Sequence, residues 1–131
     1  MKFNIKELNP GVWFYFNDDK PEEGGVCLRR MTSQRLKEIN KETQSVKVEF
    51  RKRRRHEVVK TDDYKHDLLF WDYCIADWVA VEDNEGNPIP PTPENKGLLM
   101  GGSPGFASFV AEGMEALDVE FNAMAKDVPE N

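Results

Sequence analysis

At 131 residues, with 39% hydrophobic, 32% charged and 11% aromatic side chains, the chain is long enough for one modest core and too short for two domains. No run approaches the roughly 18 consecutive apolar residues of a membrane helix, and the start, MKFNIKELNPG, lacks the apolar core of a signal peptide, so the expected location is the cytoplasm. The formal charge of −6 conceals a division: residues 1–60 carry 15 Lys and Arg against 9 Asp and Glu, whereas residues 61–131 carry 3 against 15, a polarity suited to docking between copies or onto a charged partner.

In chain order, GVWFYF (residues 11–16) is a short aromatic and β-branched run, which favours a strand. NDDKPEEGG follows, rich in turn formers and ending in a glycine pair that tolerates positive φ. VCLRRM (26–31) resumes an extended pattern, and the two runs predict a β-hairpin with an acidic loop. Thr32 or Ser33 then caps a short helix carrying Leu36 and Ile39, which ends near residues 41–43. SVKVEF (45–50) alternates, with Val46, Val48 and Phe50 on one face, and EVVK (57–60) pairs with it across the basic segment RKRRRH.

The second half reads as helical. From Asp62, an N-cap, apolar positions fall at Tyr64, Leu68, Trp71, Ile75 and Trp78, the three- and four-residue spacing of one helix face. Gly86 and the prolines Pro88, Pro90 and Pro91 stop that helix. Thr92 before Pro93 starts another, which ends at Gly101 and Gly102. A last amphipathic helix aligns Phe106, Val110, Met114, Leu117, Phe121 and Met124. The expected fold is α+β in a single domain, residues 1–131: a β-rich basic part (1–60) of small antiparallel hairpins with one short helix, a mainly helical acidic part (61–126), and a frayed tail (127–131).

Catalytic chemistry is hard to place in this sequence. Its bases are His56, in an arginine run, and His66, on a charged helix start, and neither sits beside a nucleophile motif. EDNEG lacks the spacing of a calcium loop, GGSPG lacks the lysine of a phosphate loop, and no C-x-x-C pairs the ligands of a zinc site. No cofactor or metal is expected. Cys27 and Cys74, both in apolar surroundings, read as two buried thiols rather than a disulfide. The basic run Arg51, Lys52, Arg53, Arg54 and Arg55 is the one nucleic-acid signal. In an acidic chain it reads more readily as a solvated hairpin end or a protein-docking patch.

The order of these pieces resembles the tail assembly chaperones of long-tailed bacteriophages. The likeness runs from the aromatic strand and short helix through the basic hairpin, LLFWDYCIADWVAVED, EGNPIP, TPENKGLLM and PGFASFVAEGMEAL, and covers nearly the whole chain. It is most specific at Asp77 and Trp78, the turn at 83–86, the prolines at 88–90 and the helix start at 92–95. The resemblance implies a non-enzymatic protein of the infected cell's cytoplasm, serving a phage or prophage and absent from the finished virion. Such a protein binds the tape measure protein and promotes polymerisation of the tail tube protein around it. In many members a programmed frameshift adds a C-terminal extension.

On this reading the partner-binding residues are Arg51, Arg53, Arg54, Arg55, Trp71, Trp78, Phe106, Phe109, Leu117 and Phe121. Asp77, Asp83, Gly86, Pro88, Pro90 and Thr92 form a rigid hinge in which carboxylates accept backbone amides. Self-association is expected from the opposed charges of the halves. The alternatives are a nucleic-acid-associated protein using Arg51 to Arg55 and a minor structural tail protein. An aromatic at any one of these positions can instead simply fill the core.

Overall fold

The computed structural model describes residues 9–126, with side chains to Asn122. Its strands are β1 (Val12–Tyr15), β2 (Gly25–Leu28), β3 (Gln44–Arg51), β4 (Arg54–Thr61) and β5 (Ile75–Val79). Its helices are α1 (Ser33–Thr43), α2 (Asp63–Cys74), α3 (Pro93–Gly102) and α4 (Pro104–Lys126). The fold is α+β. The tail expected to fray, 127–131, lies outside the described residues.

The helix starts follow from the capping residues. Thr32 Oγ1 accepts from the Arg35 amide, Asp62 Oδ1 from Lys65 and Thr92 Oγ1 from Asn95, each satisfying an amide that the first turn leaves unpaired. Pro93 occupies the first turn of α3, where its missing N–H costs nothing. Both predicted hairpins form: β1 pairs antiparallel with β2, and β3 with β4.

The aromatic helix departs from expectation. It stops at Cys74, and Ile75–Val79 continues directly as β5, antiparallel to β2, giving a three-stranded sheet in the order β1-β2-β5. The second half is mainly helical, as expected, and through β5 it also completes a sheet begun in the first half. The ladder skips Ala76, because Leu28 faces Ile75 while Cys27 faces Asp77. That bulge turns both Ile75 and Trp78 into the core.

The core lies between this sheet and the C-terminal helices. Val26 and Leu28 of β2, Ile75 and Trp78 of β5, and Val110 and Leu117 of α4 are buried together, with Phe14, Trp71, Leu99 and Phe106 packed around them. Gly113 lets α4 cross β2 closely, since a Cβ there would fall 2.6 Å from Leu28 Cδ1. Gly24 turns the chain into β2 at φ 109°, a conformation open to glycine, and its neighbour on the sheet is the Val79 backbone.

Cys27 and Cys74 are free and buried. Burial, and after it the Asp77 charge, raises the Cys27 thiol, while burial pushes Cys74 up to about 12. A raised thiol pKa favours the neutral folded form. The stabilisation is therefore complete below the unfolded value of roughly 8.5 and is lost as pH rises towards 12. At pH 8 the native protein should be alkylated by iodoacetamide more than about a hundredfold more slowly than the urea-unfolded chain. A time course of intact mass checks this; equal rates would place the thiols at the surface.

Candidate partner-binding surfaces

The β3–β4 hairpin stands out from the body as an arm. Its root is fastened where the Asp62 amide donates to Thr43 O (2.8 Å) and Gln44 faces Thr61. Beyond the root, Val46, Val48, Phe50 and Val59 share one face and are all exposed, Phe50 to 73%. The face seen in the sequence exists, then, but nothing in the described chain covers it.

The basic run does not form a loop between the strands. Arg51, Arg54 and Arg55 belong to the strands, and Lys52 and Arg53 alone make the turn, both at positive φ (52° and 65°). A two-residue hairpin turn of this hand favours Asn-Gly. Placing two long cations there costs backbone strain, so charge is held at the tip against local preference. Arg51 pairs with Glu49 (3.1 Å) and Arg55 with Glu57 (3.4 Å), while Lys52, Arg53 and Arg54 make no ion pair among the described residues.

The other predicted partner residues divide. Trp78 and Leu117 belong to the buried core, so the expectation of a partner surface at these two positions is corrected. Trp78 is only 5% exposed, sits edge-on to Phe106 at 5.7 Å and donates from Nε1 to Ile89 O (2.6 Å). Its side chain is consumed by the fold because the bulge at Ala76 aims it inward. Trp71, Phe106 and Phe109 are half-buried against the same core, Phe109 lying 4.9 Å from the Phe16 ring. Phe121 is exposed on α4, with the Arg30 guanidinium 3.8 Å over its ring and Arg30 Nε 2.9 Å from Asp118. Beside it, Val12, Leu28 and Leu117 line a largely apolar groove of about 270 Å³.

A second groove of about 260 Å³ opens between α2 and α3, lined by Tyr64, Leu68, Glu94, Gly97 and Leu98. Tyr64 and Leu98 are 74% and 71% exposed. Leu98 was not singled out by the sequence pattern, because a leucine in a short helix reads as core. Gly97 explains the groove's narrow floor, since a Cβ there would meet Leu68.

The connector from β5 to α3 is tied at every step. Asp77 Oδ1 accepts from the Trp78 amide (2.8 Å), and Asp83 Oδ1 accepts from the amides of Glu85 and Asn87 (both 2.9 Å). The Asn87 amide, helped by that of Glu85, holds the Asp83 carboxyl below its ordinary range. Pro88 bridges to Glu82, and Pro90 O accepts from the Thr92 amide and from Asn95 Nδ2. Gly86 sits at φ 83° with open space around its missing Cβ. Gly86→Val should therefore cost only the backbone strain, about 1–2 kcal/mol. A thermal melt reads it, and an unchanged midpoint would mean that the turn does not constrain the fold.

His66 Nε2 lies 3.1 Å from Asn40 Oδ1, joining α2 to α1. Among the described residues no three His, Cys, Asp or Glu side chains converge on a metal position, and no helix is long and apolar enough to cross a membrane. No protein-family model, curated protein or solved structure matches the chain.

Proposed function

We propose that this chain is a non-enzymatic tail assembly chaperone of a long-tailed phage or prophage, which binds the tape measure protein and promotes tail tube polymerisation in the host cytoplasm. The observation that carries the reading is the chain-wide order of motifs, above all the run from Asp77 to Asn95, in which DW, the Asp83 to Gly86 turn, PIP and TPEN follow one another. The protein exposes apolar side chains on an arm and in two grooves, the kind of surface that meets a long, aggregation-prone helical client.

Co-expression with the tape measure protein encoded beside it, followed by affinity purification and light scattering, tests this. A soluble complex with many copies per tape measure is expected. A tape measure that still precipitates while this protein elutes alone would end the reading. A second reading, nucleic-acid binding, is favoured by one observation, the three cations at the arm tip that make no ion pair among the described residues. It predicts binding to DNA or RNA that falls steeply with salt, where the chaperone reading predicts only weak, unspecific binding. Retention as a minor structural tail protein would be seen by mass spectrometry of purified virions.

A further inference from the structure

We infer that the β3–β4 arm of one copy docks in the α2–α3 groove of a second copy, with Phe50 as its apolar anchor and the arm's cations towards Glu94. The inference does not depend on which client the protein serves. Three observations lead to it.

The first is charge. Residues 44–61 carry seven Lys and Arg against two Asp and Glu, a net +5, whereas the rest of the chain carries 11 against 22, a net −11. Of the grooves offering exposed apolar side chains, the one between α2 and α3 has Glu94 as its charged lining residue. The groove beside Phe121 is instead lined by two cations, Arg29 and Arg30, against one carboxylate, Glu120. The arm's positive field therefore favours the first groove over the second.

The second is chemistry of contact. Phe50 lies directly opposite Arg55, so the aromatic ring shares its face of the hairpin with a cation. The groove offers Tyr64, Leu68 and Leu98 together with the Glu94 carboxylate. Each side leaves its largest apolar groups mostly in water in the single chain, and an aromatic seated centrally with charges at the rim is the usual form of a strong contact.

The third is reach. An eight-residue strand spans roughly 26 Å, so the tip stands far from the root. Tyr64 follows Thr61 at that root by one helical turn. The arm cannot bend its tip back into its own groove without breaking its ladder, which leaves another molecule as the recipient. Arm and groove are different surfaces, so the contact is heterologous and each bound copy still offers one free arm and one free groove.

Sedimentation velocity on the full chain tests this with two variants. One removes the arm's contacts (Phe50→Ser, Arg53→Ser, Arg54→Ser); the other blocks the groove (Leu98→Arg). All four positions are exposed or on the tip, and circular dichroism verifies that each variant folds. The wild type should grow in mass with protein concentration and shrink as salt is raised. Either variant alone should associate at least about tenfold more weakly.

Mixing the two leaves one intact arm and one intact groove, and a 1:1 complex that grows no further is expected. A wild type that stays monomeric overturns the inference, as do variants that associate like the wild type or a mixture that behaves as two separate monomers. Loss of duplex DNA binding in the arm variant of a monomeric wild type would assign the arm to nucleic acid instead.

Discussion

Trp78→Ala should cost about 3–5 kcal/mol of folding free energy, enough to remove a large part of a small protein's stability. Three losses add. The indole is almost fully buried between β2 and α4, so its removal leaves a cavity in the centre of the core. The edge-on contact with Phe106 disappears. The Ile89 carbonyl loses its donor, and with it goes the tie between β5 and the connector that leads to α3. Trp78→Phe separates these terms, because it retains most of the apolar surface while removing the N–H; about 1–2 kcal/mol is expected there. Urea unfolding of both variants checks the pair. A Trp78→Ala loss below about 1 kcal/mol would mean that the residue is not part of the core.

Trp78 lies on a strand, although its spacing fits a helix. Ile75 and Trp78 lie three apart, the spacing of one helix face, and no glycine or proline separates them from α2. In the structure a bulge at Ala76 gives the same phase within a strand, because Ile75 faces Leu28 and Trp78 faces Val26 on one side of the sheet. Periodicity alone could not distinguish these arrangements. The β-branched and aromatic content of residues 75–81 was the available signal, and it was outweighed by the helical run before it. Local chemistry was far more legible. Thr32, Asp62 and Thr92 cap where their side chains dictate, and Asp83 gathers amides in the connector as a turn aspartate does.

The candidate surfaces were half legible for a related reason. Composition shows that Arg53 and Arg54 are charged but not that they top an arm whose Val46, Val48 and Phe50 face water, because an alternating strand normally announces a covered face. Conversely, Trp78 and Leu117 looked available since a sequence does not show what covers them. Amphipathic spacing identifies the side of an element that is apolar, and the tertiary partner decides whether that side is core or surface.

The buried ion pair between α2 and α3 gives a second large effect, and an asymmetric one. Lys96 Nζ lies 3.0 Å from both Asp72 Oδ1 and the Asp72 carbonyl, and its side chain is 7% exposed against 36% for the aspartate. Asp72→Ala removes the counter-charge and leaves the buried ammonium with only the backbone carbonyl of residue 72, and should cost about 3 kcal/mol, at the lower end for a broken buried pair because that carbonyl remains and water reaches one side. Lys96→Met leaves the carboxylate where solvent can take it up, and its flexible apolar side chain fills the vacated space, so about 1 kcal/mol is expected. The double variant should be close to Lys96→Met alone, since no charge remains stranded. A double-mutant cycle read by urea unfolding measures this. If the two single changes cost the same, the lysine must find another partner or reach water, and α3 would be held to α2 by apolar contact, chiefly the close approach of Gly97 to Leu68. The pair then bears on the groove as well, because α2 and α3 are its two walls: loosening them should widen the space between Tyr64 and Leu98 and weaken arm docking without touching either contact surface.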